Sequence, residues 1–414
     1  MNVNEDFQFR NSPEWIEYSH QRYLPLDEIR HRLKLRGPKW DKLCTTIAET
    51  RKAQSLPIFL PSINRVFWYF EADCIRQKIS QIERLGTVLF DKIHNAPSFE
   101  KDFIVDAAEE EAITSAIHEG ANTTRGRARQ FIAQRRSPKD KAERMVINNY
   151  EALEWIKKNR DQEVSLATVL RLHAIVTRGT LEGDDVNYSG KFRDDTIYVG
   201  KHQGIEHKLI RSTLHDVINA TTQNPRFIHP LIRGILLHYL VAFVHPFFDG
   251  NGRTARALFY FKCIKNDLSF VELLSISANL KEQGGRYIRA FENAVTHDGD
   301  TTYFVDFALD SLLEGLQIVN EKVIFLTKVS SLRTSLDLSD HQVRLLQRLA
   351  LNKFRNMTTD EYATDTSRSH EMARIELKEL VKKDLLQEQK IGKKNVYLIR
   401  ASRLKQLVSE LPIT

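Results

Sequence analysis

Residues 245–256, His-Pro-Phe-Phe-Asp-Gly-Asn-Gly-Arg-Thr-Ala-Arg, contain the residue types that are needed to bind a phosphate group. Gly250 and Gly252 allow the backbone to turn its N–H groups into one concave site, and such a site at the start of a helix binds phosphate. Arg253 and Arg256 are about one helical turn apart, so their guanidinium groups are suited to hold further phosphate oxygens. The spacing therefore predicts an anion site between two helices.

The same segment supplies groups for catalysis beside that anion site. Asp249 places a carboxylate where a Mg²⁺ ion that bridges phosphates would need one. His245 follows a predicted buried helix and is suited to act as a general base for a hydroxyl that attacks phosphorus. Each group alone also has a structural explanation, since a histidine before proline is often a helix cap and Gly-Asn-Gly is often a simple turn. Their combination within twelve residues favours phosphate chemistry.

Helices must position this segment, because apolar residues recur at three- and four-residue spacing through most of the chain. Gly120 is predicted to end one helix and Ser165 to cap another. Residues 190–200, between two glycines, alternate and end in β-forming residues, which predicts a short β-hairpin. Helices are predicted over residues 40–53, 63–85, 107–119, 142–159, 165–177, 209–222, 230–244, 253–266, 275–280, 284–295, 302–328, 340–351, 359–363 and 367–383.

The composition favours a mainly helical protein of two or three domains. The chain has 414 residues, of which 42% are hydrophobic and 28% charged, and its net charge of +7 permits contact with nucleic acid without establishing it. Three cysteines without a CxxC spacing argue against a disulfide framework and a cysteine zinc site. No signal peptide and no membrane-spanning run are visible, so we predict a cytoplasmic protein without membrane contact.

The C-terminal residues 335–414 are predicted to form a separate domain. Three helices are followed by two strands around a Gly-Lys-Lys-Asn turn, which is the order of a winged helix. This segment has 15 Lys and Arg against 11 Asp and Glu. A DNA-binding regulator is therefore an alternative function, and a protein-docking or dimer module is an equal possibility for the same domain. The candidate DNA contacts are Thr366, Ser367, Arg368, Ser369, His370, Arg374, Lys390, Lys393 and Lys394.

Residues 245–256 resemble the signature of the Fic family, His-x-Phe-x-Asp/Glu-Gly-Asn-x-Arg-x-x-Arg, at every fixed position. The resemblance implies a mainly α-helical Fic-type bundle over residues 101–330 with a β-hairpin flap at 190–200. It also implies an N-terminal helical region, 1–100, and a C-terminal winged helix, as the helical pattern indicates. Members of the family typically transfer AMP from ATP to a Ser, Thr or Tyr hydroxyl of a target protein, and relatives often form homodimers.

The resemblance also implies a role for individual residues. His245 would deprotonate the target hydroxyl, Asp249 would hold Mg²⁺, Asn251 and the two flanking glycines would cradle phosphates, and the two arginines would hold the β- and γ-phosphates. Tyr287 matches a residue near the adenine, whereas Ile288 departs from the family's second tyrosine, and Val295 falls where some relatives carry asparagine. The implied ATP-binding residues are Glu119, Ile197, Tyr198, Val199, Gly200, Asp249, Gly250, Asn251, Gly252, Arg253, Thr254, Ala255, Arg256, Tyr287 and Ile288.

A second segment, Ser115-Ala-Ile-His-Glu119-Gly120 within the predicted helix 107–120, resembles the inhibitory motif of the family, Ser/Thr-x-x-x-Glu-Gly/Asn. It implies that Glu119 forms a bidentate pair with Arg256 and removes that arginine from the γ-phosphate. In some relatives the same glutamate aligns a water that removes AMP from the target. The alternatives are therefore a self-inhibited adenylyltransferase and a hydrolase that uses Glu119 as a catalytic residue.

Overall fold

The computed structural model describes residues 9–34, 36–133, 136–199, 202–278, 284–351, 356–392 and 394–411, and it is mainly helical, as predicted. Most predicted helices are present, and α9 and α13 have the predicted bounds. The helices are α1 (Leu26–Leu33), α2 (Pro38–Gln54), α3 (Asp73–His94), α4 (Glu100–His118), α5 (Arg125–Ala133), α6 (Lys141–Lys158), α7 (Leu166–Val176), α8 (Ile210–Thr222), α9 (Pro230–Val244), α10 (Asn251–Lys265), α11 (Gly284–Thr296), α12 (Thr302–Ser335), α13 (Asp340–Leu351), α14 (Thr359–Thr366), α15 (His370–Lys382) and α16 (Ala401–Ser409).

The N-terminal region differs from the prediction of two consecutive helices. Strands β1 (Leu56–Leu60) and β2 (Arg65–Tyr69) form an antiparallel hairpin where a helix was predicted to begin at residue 63. The prediction was wrong because β1 buries every second residue, which is the period of a strand, and β2 is rich in aromatic residues. This hairpin and α3 pack into the same main core as the central helices, so the region has no core of its own.

The centre of the fold is the pair α9 and α10, which connect through the signature loop. Both helices are buried nearly all round, as expected of helices at the centre of a larger domain. They approach closely at Gly234, where an added Cβ would lie 2.8 Å from Cys263 Sγ. The ends of two buried helices are fixed by their packing, so the loop between them is also held in place.

The flap is a β-hairpin, but it lies further along the chain than predicted. Strands β3 (Tyr198–Val199) and β4 (His202–Gln203) pair antiparallel, whereas residues 190–197 form no strand. The prediction of a hairpin over 190–200 was wrong in position because the polar groups of the earlier residues bond outside any strand ladder. Arg193 donates to the carbonyl of His245, and Asp194 accepts from Tyr188.

The C-terminal unit contains α13 to α16 and a three-stranded sheet of β5 (Met357–Thr358), β6 (Leu386–Ile391) and β7 (Lys394–Ile399), in the order β5-β7-β6. Helix α12 extends to Ser335, and its last turns contribute Val329 and Leu332 to this second core. The predicted three helices and hairpin are present, and β5 and α16 were not predicted. The interpretation as a winged helix, and the domain boundary near residue 330, stay predictions. None of the helices in the described ranges has the length and apolar character that crossing a membrane requires.

Gly86 marks a close contact between α3 and the segment that follows α10. A Cβ at Gly86 would lie 2.6 Å from Phe270 Cγ, whereas a Cβ at Gly285 in α11 would meet nothing within 4 Å. We expect Gly86→Ala to lower the free energy of unfolding by about 1–3 kcal/mol, because a buried ring must move. The control, Gly285→Ala, should leave it unchanged or slightly higher. Urea unfolding of both variants measures this, and equal stabilities would contradict the contact.

Candidate active site

His245 is placed by the end of α9, where its backbone adopts the left-handed conformation with φ 51°. Its Nδ1 lies 3.2 Å from the carbonyl oxygen of Ala242, a contact that assigns the ring proton to Nδ1 and leaves Nε2 as the proton acceptor. Burial lowers the pKa of His245 to about 4. The ring is therefore neutral at pH 7, the state that a general base requires.

The loop that follows forms the N-terminus of α10. Gly250, with φ 81°, caps the helix, and the Thr254 hydroxyl donates to its carbonyl at 2.8 Å. Asn251 does not point its amide at a ligand. Its Oδ1 accepts from the N–H of Phe247 at 2.9 Å and its Nδ2 donates to the carbonyl of Phe247 at 2.7 Å. These two bonds show that the side chain shapes the loop, and its role in cradling phosphates stays a prediction.

Arg253 is nearly inaccessible and connects three elements. Its Nη1 donates to the carbonyl of Val176 at the end of α7 at 2.7 Å, and its Nη2 lies 3.1 Å from Asp249 Oδ1. The guanidinium group thus orients the Asp249 carboxylate, which remains partly exposed. Arg253 thus bonds to the carboxylate of Asp249, and its direct contact with a phosphate stays a prediction.

Arg256 is 2% exposed and bonds to two residues of α4 that the sequence singled out. Its Nη2 donates to Glu119 Oε1 at 2.9 Å, and its Nε and Nη2 donate to the Ser115 hydroxyl at 3.1 and 3.0 Å. The predicted pairing of Glu119 with Arg256 is therefore present, but it is not bidentate. The Ser115 hydroxyl takes the place that the second carboxylate oxygen was predicted to occupy.

The Glu119 carboxylate lies at the N-terminus of α10. A side chain at Gly252 would collide with Glu119 Oε1, so the carboxylate rests directly against the backbone of the predicted anion site. Burial raises the pKa of Glu119, but the charge of Arg256 and the hydrogen bond from it outweigh burial and leave the pKa below its usual value. The group is an anion at neutral pH, held where a helix N-terminus favours negative charge. Gly120 follows it with φ 87° and lets the chain leave α4.

His173 supports the signature loop and was missed by the sequence interpretation. Its Nδ1 accepts from the N–H of Gly190 at 3.0 Å, so its Nε2 carries the proton and donates to the carbonyl of Asp249 at 3.0 Å. Its ring stacks on Phe247 with centroids 3.6 Å apart. No local pattern marks a residue of α7 as a partner of a loop 76 positions later, and only the fold brings them together.

The residues predicted to border the nucleotide lie on two sides of the cleft. Ile197 is half-buried before β3, and Tyr198 is exposed on the flap. Tyr287 of α11 is half-buried, with its ring edge-on to His118, and Ile288 is exposed. The backbone of Val199 lies in β3, and Gly200 lies outside the described residues. Tyr287 therefore lies beside the residue that precedes Glu119, and the contact of the predicted residues with a base stays a prediction.

Buried polar contacts hold helix α4, which contains Ser115 and ends directly before Glu119. Glu111 accepts from the N–H and hydroxyl of Ser277 at 2.9 and 2.6 Å. Asp106 pairs with Arg129 of α5 at 2.5 Å and with Lys322 of α12 at 3.1 Å. These contacts fix the helix against three neighbouring elements, so the position of Glu119 is a property of the whole domain.

The residues predicted to contact DNA are on a surface of mixed charge. Arg368 lies 3.6 Å from Glu376, and Asp360 lies 3.0 Å from His370 and 3.6 Å from Lys394. Thr366 donates to a backbone carbonyl, and Ser369 caps α15. Arg374 and Lys390 lie on α15 and β6, Ser367 lies between helices, and Lys393 is outside the described residues. The paired cations reduce the positive potential that DNA binding requires.

The Asp249 carboxylate suits a cation that is bound jointly with phosphates. Within the described ranges, no group of three or more His, Cys, Asp or Glu side chains is placed to hold a metal ion. Mg²⁺ commonly uses only one or two carboxylates and takes its remaining ligands from substrate phosphates and water. A cavity of about 510 Å³ lies beside Asp249 and Glu119 and leaves room for such ligands.

Comparison with protein families agrees with this geometry. Residues 163–262, from the start of α7 to α10, match the model of the Fic/DOC family. The chain contains a Fic domain. The match covers the flap, α9, the signature loop and most of α10, so it includes His245, Arg253 and Arg256, whereas α4, whose residues bond to Arg256, lies outside it.

Two relatives of the Fic domain are similar over about a hundred residues. "Protein adenylyltransferase fic-1" of Caenorhabditis elegans is 33% identical over 104 residues, which cover 25% of this chain and 20% of the relative. "Protein adenylyltransferase Fic" of Drosophila grimshawi is 34% identical over 99 residues, which cover 23% of this chain and 19% of the relative. The matched part of the chain thus spans about a fifth of these relatives.

A solved structure extends the likeness of fold beyond the Fic domain. A Fic family protein from Desulfovibrio desulfuricans aligns with a TM-score of 0.52 at 16% sequence identity, covering 80% of this chain and 98% of that chain. At this identity the likeness concerns the fold alone. Because the alignment covers 80% of this chain, the likeness of fold includes most of the chain outside residues 163–262.

The stability of the fold should depend on its buried histidines. Burial lowers the pKa of His238 from its usual value of 6.5 to about 3. Between pH 3 and pH 6.5 the imidazole therefore binds a proton in the unfolded chain but not in the folded chain. Stability therefore falls as the pH decreases below about 6.5. His238→Phe removes this group and keeps a ring against Tyr287. We expect wild type to lose about 2 kcal/mol more than this variant between pH 7 and pH 5.

Urea unfolding at the two pH values measures the difference. His31→Phe, at an exposed position of α1, is the control and should lose as much stability as wild type. An equal pH dependence in wild type and His238→Phe would contradict the burial of a neutral imidazole.

Proposed function

We propose that this chain transfers AMP from ATP to a Ser, Thr or Tyr hydroxyl of a target protein. One observation carries the proposal: a neutral histidine, the N-terminus of a buried helix and a buried arginine meet at one cleft. His245, the start of α10 and Arg256 are those groups. The names of the adenylyltransferase relatives support the same reaction, and the part that matches the family covers the segment that contains all three groups.

The residues suggest a single displacement at the α-phosphorus. His245 Nε2 accepts the proton of the target hydroxyl while the hydroxyl oxygen forms a bond to the α-phosphorus, and the bond to the β-phosphate oxygen breaks. AMP becomes attached to the target, and pyrophosphate leaves with the electron pair of the broken bond. The free N–H groups at the start of α10 stabilise the negative charge that builds up on the phosphate oxygens.

Asp249 would hold Mg²⁺ beside these phosphates, together with phosphate oxygens and water. Its position next to the start of α10, and its orientation by Arg253, support that role. The ion would neutralise charge on the phosphate groups when it is bound.

The flap is the proposed place for the target. Strands β3 and β4 are two residues long, and Tyr198 is exposed on the flap. An exposed strand edge pairs with an extended segment through main-chain hydrogen bonds, which demand little of the target's sequence. The target would thus be selected mainly by the accessibility of an extended segment with a hydroxyl.

Glu119 is proposed to inhibit this reaction. Its carboxylate pairs with Arg256 and lies against Gly252. It therefore fills space and neutralises positive charge that the phosphates of ATP would need in the orientation for AMP transfer. Inhibition then needs no separate regulatory protein. The predicted homodimer and cytoplasmic location are not needed for this mechanism and stay predictions.

Glu119→Gly should raise AMP transfer by about 10- to 100-fold, because it frees one cationic group for the phosphates. The measurement is incorporation of label into protein from α-labelled and γ-labelled ATP. Label should come from α-labelled ATP only. Adding His245→Ala to the variant should abolish it.

Asn122→Gly is the matched control, since it introduces the same residue into the loop after α4 without removing a contact to Arg256. It should leave the rate at the wild-type level. Label from the γ-phosphate would contradict the proposal of AMP transfer. Equal rates for wild type and Glu119→Gly would contradict the inhibition alone.

The same site also suits hydrolysis of the product, in which the oxygen of a water forms a bond to the phosphorus of AMP, the bond to the target oxygen breaks, and AMP and the target hydroxyl are released. The observation that favours it is the position of Glu119, a partly exposed carboxylate in the cavity that also contains Asp249. Such a group is suited to orient water. We expect wild type to release AMP from a labelled target and Glu119→Gly to release none; retention of label by wild type would contradict hydrolysis.

A further inference from the structure

Arg193 is a buried arginine bonded to backbone carbonyls. It is 2% exposed, and no ion pair of Arg193 with a carboxylate is present in the part of the chain that the structure describes. Its Nε donates to the carbonyl of His245 at 2.8 Å, its Nη1 to that of Asp195, and its Nη2 to that of Ile205. A charged side chain rarely becomes this buried unless its donors are satisfied, so the contacts fix the guanidinium group in one place.

These carbonyls belong to three separate segments. Asp195 precedes β3, Ile205 follows β4, and His245 ends α9. The backbone adds to the connection, because Arg193 N–H donates to the carbonyl of Pro246 at 3.0 Å and Ile205 N–H donates to that of Val244 at 3.2 Å. One side chain therefore joins both stems of the flap to the residue that carries the general base.

The backbone of His245 needs such support. A left-handed conformation is uncommon for a residue other than glycine, and it persists where surrounding contacts determine it. The carbonyl that Arg193 holds is that of His245 itself. The direction of the imidazole therefore depends on the same guanidinium group that closes the base of the flap.

We propose that Arg193 is a positioning residue that fixes the flap and His245 as one unit, so that a target segment on the flap brings its hydroxyl to Nε2. The inference rests on the proposed function for the identity of the transferred group. Arg193 bonds to backbone only, and it is therefore not a catalytic residue. Its effect is to keep two parts of the site, one for the target and one for proton transfer, at a constant separation.

The geometry suits arginine and not lysine. Three carbonyls from different directions match the planar fork of a guanidinium group, whereas lysine places its three donors on one nitrogen. Gly204 leaves room for the fork, since a Cβ there would lie 2.7 Å from Arg193 Nη2. Gly204→Ala is thus a second way to disturb the same contacts without changing the charge.

The test uses the full chain with Glu119→Gly as parent and adds Arg193→Met, Arg193→Lys or Gly204→Ala. Arg211→Met is the matched control, because it makes the same substitution at an exposed arginine. Arg211 lies over the ring of Phe192, the residue that precedes Arg193 in the chain. We expect Arg193→Met to lower kcat for AMP transfer by about 100-fold, as small misplacements of reacting groups do. The KM for ATP should change little, the Lys and Ala variants should be intermediate, and the control should equal the parent.

Hydrogen exchange of the segment 190–210 separates this inference from the proposed function, because it needs no activity. Exchange of the Gly204 and Ile205 amides should be faster in Arg193→Met and unchanged in Arg211→Met. That result supports the inference even if the parent transfers no AMP, an outcome that would count against the proposed function only. Unchanged exchange of these amides in Arg193→Met, or a kcat of this variant equal to that of the parent, would overturn the inference about Arg193. If Arg193→Met does not fold, Gly204→Ala decides between the same outcomes.

Discussion

The active site depends on how one buried charge, that of Arg256, is neutralised. Removing an arginine from water is costly unless its donors are paired, and the pairing residues are Ser115 in α4 and Glu119 directly after it. Helix α4 is therefore part of the candidate active site although it lies more than a hundred residues before the signature. Its own position is fixed by Glu111 and Asp106 through buried contacts with the segment after α10 and with α5 and α12.

The signature loop is held by side chains that bond to its backbone. Asn251 bonds to both the N–H and the carbonyl of Phe247, His173 donates to the carbonyl of Asp249, and Arg193 donates to that of His245. These contacts leave the N–H groups at the start of α10 directed at the cleft. Dipoles that are fixed before a ligand arrives need no reorganisation when charge develops, which is the physical basis of preorganised catalysis.

The sequence predicted the part of the candidate site that lies within one short segment of the chain, and it predicted one contact between distant residues. Residues 245–256 were sufficient to predict a turn between two helices, because their two glycines flank Asn251 at the start of the second helix; the anion site at this turn stays a prediction. The contact between Glu119 and Arg256 came only from resemblance to a known motif. His173 and Arg193 have no local signal, since each acts through a carbonyl far away in the chain. The hairpin at 56–69 was missed because a short apolar run fits a helix as well as a strand.

Under the proposed function, inhibition and catalysis at this site use the same electrostatic feature. A helix N-terminus and a buried arginine attract any anion, and Glu119 is an anion attached to the protein. The carboxylate therefore competes with the nucleotide's phosphates for Arg256 rather than closing the cleft. A triphosphate carries more charge than one carboxylate, but Glu119 is tethered and loses little entropy on pairing. In the proposed inhibition this balance depends on how firmly α4 is held, so a contact that moves α4 would change the activity of a site that the contact does not touch.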